Sequence, residues 1–150
     1  MTTMSGDLPN AFFKEVLNAF RVRFTPSGRV LWVSDGNEPV FASAEALNDL
    51  GVSLSSARSL PSVVIYDVLQ KRLVLIDIAK LRGLMTSQRR EALTRLFGGS
   101  EVEVVFVNAF RGRREFQKLL TEPPWGVVVW LADEPDHIIH FNGDRFLGPR

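Results

Sequence analysis

An aspartate, Asp77, closes the apolar run LVLIDIAK (73–80), and the type and place of this one residue ask for an explanation. A buried carboxylate without a partner costs roughly several kcal/mol, so it must be neutralised, paired or holding a cation. Arg72 and Arg82, both near it in sequence, are candidate ion-pair partners. Ligation of a divalent cation is the other possibility, because an acid at the end of a doubly buried strand commonly meets a cation, an arginine or a helix N-terminus.

The remaining polar residues restrict the chemistry further. There is no cysteine, which excludes disulfides, thiolate zinc sites and cysteine nucleophiles, and fits a reducing cytoplasm. His137 and His140 are three apart in a strand-like run and should point to opposite faces, as structural or surface groups. The serines lack an evident base in sequence, and no Gly-rich phosphate loop, G-x-S-x-G elbow or H-E-x-x-H is present. The net charge is only +1, yet residues 80–118 carry nine Lys or Arg against four acids, a local excess of five. Such a run makes either a pair of solvated helix faces or a surface that binds phosphates.

These residues are set on a chain of 150 residues with 45% hydrophobic content, enough for one domain spanning 1–150 with a real core. The spacing of Phe12, Phe13, Val16, Leu17 and Phe20 predicts an N-terminal helix over 10–20, with Asn10 as cap and Phe24, Pro26 and Gly28 punctuating its end. RVLWVS reads as a strand, DGNE as a turn and PVFA as a short partner strand. Ser43 should cap a helix that closes at Gly51. PSVVIYD and RLVLIDIA are short, rich in β-branched residues and read as strands. If Leu69 and Gln70 form a two-residue hairpin loop between them, Ser62 lies opposite Asp77.

A helix over 87–97, a strand at 101–108, a helix in GRREFQKLL, a strand at 126–133 and a short edge strand at 137–142 complete the series. The fold class is therefore α/β, a mixed β-sheet flanked by helices. The start MTTMSGDLPN has no basic segment leading into an apolar stretch, and no apolar run approaches about 18 residues, so a cytoplasmic protein is expected.

Several stretches together resemble the BsuBI/PstI restriction endonuclease family. They are RFTPSGRVLWVSD, LNDLGV, LPSVVIYD, LVLIDIAKLRGLMTSQRREAL, VFVNAFRGRREF and, most specific, the terminal WLADEPDHIIHFNGDRFLGPR. The resemblance runs from about residue 20 to the end and implies a PD-(D/E)xK nuclease fold acting on double-stranded DNA with magnesium. It implies Asp77, Lys80 and Ser62 as the catalytic positions and Asp77 as a metal ligand; of two nearby acids that could substitute for a missing ligand, Asp67 and Glu45, Glu45 on the helix beside the hairpin is the better placed. Arg82, Arg89, Arg90, Arg111, Arg113, Arg114 and Lys118 are implied as DNA-binding residues, on elements that flank the cleft.

The chain departs from the family pattern where the chemistry is. Ser62 stands where the family has the first aspartate, Asp77 is one methylene shorter than the family's glutamate, and Ala79 occupies the position of a strict D/E-x-K lysine, with Lys80 one step on. The resemblance with these departures implies a DNA-binding domain of the type II restriction endonuclease kind that hydrolyses double-stranded DNA with magnesium through Asp77 and Lys80, Ser62 or a migrated acid completing the site, at an activity reduced or lost. The alternative is a catalytically inactive DNA-binding or regulatory subunit. Family members are longer, with an N-terminal helical region to which residues 1–25 would correspond as a remnant, so specificity would come from dimerisation or from a partner subunit, or be absent.

Overall fold

Seven strands form one mixed sheet in a computed structural model that describes residues 14–34, 39–52, 59–79, 85–98, 102–120 and 123–141. The expected Asn10 cap and the DGNE turn fall outside the described residues, as do Lys80 and Arg82. The strands are β1 (Gly28–Ser34), β2 (Pro39–Ala42), β3 (Val63–Asp67), β4 (Arg72–Ile78), β5 (Glu103–Phe110), β6 (Val127–Leu131) and β7 (Ile138–Phe141). Their order is β2-β1-β3-β4-β5-β6-β7. Pairing is antiparallel from β2 to β4, parallel across β4-β5-β6, and antiparallel again at β7. The parallel joins need crossovers, which the helices between β4 and β5 and between β5 and β6 supply.

The register of the β3-β4 hairpin follows the sequence expectation. Val63 faces Ile76 and Asp67 faces Arg72, so the same pairing carried one step on sets Ser62 against Asp77. The turn occupies residues 68–71, and Lys71 takes the left-handed region at φ 52°. Asp67 secures this end. Its Oδ1 accepts the Ser27 hydroxyl at 2.6 Å and the Gln70 amide at 3.3 Å, which occupies this buried acid far along the hairpin from Asp77.

Strand periodicity sorts the core into two faces. Val63, Ile65, Val74, Ile76, Ile78, Val107 and Ala109 lie on one, packed with Val16, Leu17 and Phe20 of the N-terminal helix. That helix, α1, is a π-helical segment (Val16–Phe20) continuing as an α-helical turn (Arg21–Phe24). It runs on to Phe24, which packs on Phe20 with ring centroids 5.1 Å apart, and it stops at Thr25, which leaves the helical region (φ −136°, ψ 60°) ahead of Pro26.

The other face carries Trp32, Val64, Leu73, Leu75 and Val127, together with Leu47 of α2 (Ala44–Asp49) and Leu93 of α3 (Ser87–Leu96). Further along it, Ala79, Phe110, Val129 and Leu131 pack with Phe116 and Leu119 of α4 (Arg113–Leu119). Ser43 precedes α2 as expected, but its side chain makes no capping bond; its amide donates to the Leu31 carbonyl instead.

Phe20 is the test of how α1 is held. It is 2% exposed and meets Trp130 edge-on at 5.7 Å between ring centroids. Phe20→Ala is expected to cost about 3–5 kcal/mol in urea unfolding.

Candidate active site

The acid in LVLIDIAK is buried, 1% exposed, on the helical face of the sheet shared by α2, α3 and α4. Alternation puts Asp77 after Leu75 and before Ala79, between the two apolar clusters of that face. Two polar neighbours are level with it. Ser62 lies across the antiparallel join, and Asn108 is its register partner across the parallel join to β5. All three are buried and form a polar row over three adjacent strands.

Each member of the row has its hydrogen-bonding capacity used. The Ser62 amide donates to Asp77 Oδ1 at 3.3 Å, and the Ser62 hydroxyl accepts from the Ile78 amide at 3.1 Å. Asn108 Nδ2 donates to the Asp77 carbonyl at 3.1 Å, while its Oδ1 accepts the Met85 amide at the approach to α3. The Ser62 carbonyl accepts the Ser34 amide at 2.8 Å, which ties the row to the end of β1.

The charge of Asp77 is met by Arg89. Arg89 Nε donates to Oδ2 at 3.1 Å and Nη2 to Oδ1 at 3.3 Å, the forked geometry that suits a guanidinium to a carboxylate. The same head also donates through Nη1 to the Ser59 carbonyl at 2.8 Å and through Nη2 to the Leu60 carbonyl at 3.1 Å. Its backbone is equally fixed, because the Thr86 side chain caps α3 by accepting the Arg89 amide at 3.1 Å. Arg89 is thus a member of the site, with its side chain 21% exposed against 2% for that of Asp77.

Neither sequence neighbour considered for pairing is the partner found. Arg72 lies beside Glu103 at 3.4 Å, and Arg82 is outside the described residues. Asn108 went unnoticed in the sequence, although EVEVVFVN ends on a polar residue just as LVLID does.

Magnesium requires hard oxygen ligands with enough negative charge to offset its own. Here the row supplies one carboxylate, already bonded at both oxygens, and one hydroxyl that accepts a backbone amide. Glu45 is exposed on α2, and among the described residues no group of three or more His, Asp or Glu is placed to hold an ion. The described residues do not make a magnesium site.

The basic residues divide by what they touch. Arg113 is bound to Glu134 through two bonds of 2.6 and 2.9 Å. Its hydrogen bond lowers the Glu134 carboxyl from its ordinary value, against the opposing effect of burial. Arg111 is exposed, and its amide donates to Glu115 at 3.1 Å. Arg114 and Lys118, four apart on α4, are both exposed and line a shallow depression with Glu115 and Gln117. Arg90 is half-buried, its head against the Cα of Gly126 in the space a Cβ would need, and its Nε has no hydrogen-bond partner among the described residues. Gly126 has φ +80°, so both backbone and packing call for glycine there. His137 borders a hollow between α4 and β7 with Arg113 and Glu134, while His140 borders another against Phe20 and Phe24.

Known proteins share both sequence and fold with this chain. The BsuBI/PstI restriction endonuclease domain matches residues 2–144. The type II restriction enzyme BsuBI of Bacillus subtilis is 39% identical over 137 residues, 91% of this chain and 43% of that enzyme. The type II restriction enzyme AplI of Arthrospira platensis is 34% identical over 110 residues, 71% of this chain and 34% of that enzyme. The structure of the SdaI restriction endonuclease superposes with a TM-score of 0.82 at 33% identity, covering 97% of this chain and 46% of that one. The chain spans less than half the length of each of these relatives.

Two substitutions grade the polar row. Asn108→Ala leaves the Met85 amide without its acceptor, at roughly 1–3 kcal/mol, and also removes a donor to the Asp77 carbonyl, whereas Ser62→Ala removes only the acceptor of the Ile78 amide. Urea unfolding should therefore show Asn108→Ala to be about twice as costly as Ser62→Ala; equal losses would contradict the assignment of these bonds.

Proposed function

The chain belongs to the BsuBI/PstI restriction endonuclease family, and on that premise we propose that it is a double-stranded-DNA-binding domain of the restriction-nuclease fold in which phosphodiester hydrolysis is reduced or lost. The observation that carries the second half is the strand-end row itself. A hydroxyl, Ser62, stands beside Asp77, and the carboxylate of Asp77 is engaged by Arg89. A site of this composition presents one acid, and that acid is already neutralised.

The chain's own residues in this reading bind and orient DNA. Exposed Arg111, Arg114 and Lys118 supply positive charge on the helical side of the sheet, the side to which Asp77 also belongs. Arg90, half-buried with its head packed against Gly126, adds charge to this region more than a direct contact. Arg113 is tied to Glu134 and Arg89 to Asp77, so both contribute to the local field more than to direct contacts. A second copy of the chain or a partner subunit is proposed to act with it on double-stranded DNA. No helix among the described residues is long and apolar enough to cross a membrane, and a cytoplasmic setting is proposed because that is where a restriction system meets DNA.

A magnesium-dependent nuclease working through Asp77, Lys80 and Ser62, with Glu45 as a recruited ligand, is the second reading. It is favoured by the retention of an acid at position 77 in register with position 62. Incubation of unmethylated plasmid with magnesium or manganese separates the two. The wild-type protein should leave the plasmid intact or nick it slowly, and Ser62→Asp, which restores the second acid, should cut it. Wild-type cleavage that Asp77→Ala abolishes would establish the second reading instead.

Binding is tested apart from cutting, by filter retention of duplex DNA across a salt series. Affinity should fall with salt, and Arg114→Ala with Lys118→Ala should lower the log–log slope by about 2, close to 1 for each lost phosphate contact. A slope unchanged by the pair would remove α4 from the interface.

A further inference from the structure

Arg89 commits four of its five N–H donors' worth of geometry to one place: two bonds to the Asp77 carboxylate and one each to the Ser59 and Leu60 carbonyls. Carboxylate and carbonyl oxygens are the ligands that a hard divalent cation would take. In this chain they surround a guanidinium. Arg89 itself stands on a rigid base, since Thr86 caps its helix and Asn108 holds Met85 just before that cap.

We propose that the Arg89 guanidinium is the resident cation of this strand-end site, satisfying the Asp77 carboxylate from within the chain and excluding divalent metal ions from it. The physical argument is competitive. An ion approaching Asp77 must either displace a fork held by four hydrogen bonds or sit beside its positive charge, and Ser62 brings no negative charge to offset either cost. Arginine does not lose its proton at any ordinary pH, so this counter-charge is permanent, whereas a metal is present only at sufficient concentration. The inference goes beyond the proposal of DNA binding and is tested without DNA, so either can fail alone.

The probe is manganese(II), titrated into the purified protein by calorimetry, with the melting temperature followed in parallel. Wild-type protein should show no saturable binding and an unchanged melting temperature. Arg89→Gln leaves the carboxylate buried and unpaired, and should melt on the order of 10 °C lower without metal. It should then gain one manganese site and recover part of the loss, and adding Asp77→Asn should abolish that site.

Saturable binding by the wild-type protein that Asp77→Asn removes would overturn the proposal, and this arm needs no variant of Arg89 to fold. A folded Arg89→Gln protein that binds no manganese would also overturn it, because the guanidinium would then not be what keeps the ion out.

Discussion

The buried ion pair of Asp77 and Arg89 is the interaction on which the arrangement of this molecule depends. It joins the end of β4 to the first turn of α3, and through the Ser59 and Leu60 carbonyls it also fixes the chain entering β3. A carboxylate 1% exposed in the middle of a sheet is unfavourable in itself. Its desolvation is offset only because the fork, the Ser62 amide and the surrounding bonds leave no charged or polar group of the row unsatisfied. The polar row also divides the helical face into two apolar clusters, one beneath α2 and α3 and the other beneath α4. The helix positions therefore follow from satisfying one acid as well as from burying apolar surface.

Much of this was legible in the sequence because the strands speak clearly. PSVVIYD and RLVLIDIA are short, β-branched and separated by a turn, so their register followed from the turn length alone, and the pairing of Val63 with Ile76 places Ser62 at Asp77. The acid in an apolar run announced the site. Asn108 carries the same signal at the end of EVEVVFVN but bears no charge, and an uncharged polar residue is easily taken for the end of a strand. That Arg89 would turn inward was not legible. A run of basic residues fixes the charge of a segment but not which arginine meets a buried acid, and that depends on how α3 packs on the sheet. The end of α1 at Phe24 falls where Phe24, Pro26 and Gly28 were read as punctuating it.

The fold carries strands and helices in the arrangement of a restriction endonuclease, while its strand-end row consists of one acid, one hydroxyl and one amide. The two facts are compatible, because the fold is specified by the apolar faces and the site by a few polar positions at strand ends. With a serine at position 62 the row holds a single carboxylate, and a single arginine suffices to balance it. Hydroxyl, amide and guanidinium together make a site that is complete within the chain.

The most direct test of this account is a double-mutant cycle on stability with Asp77→Asn, Arg89→Gln and the pair, measured by urea unfolding in the absence of divalent metal. If the ion pair organises the site, each single change should be strongly destabilising and the double change should cost clearly less than their sum, with a coupling of roughly 2–3 kcal/mol. Additive losses, with coupling near zero, would contradict it.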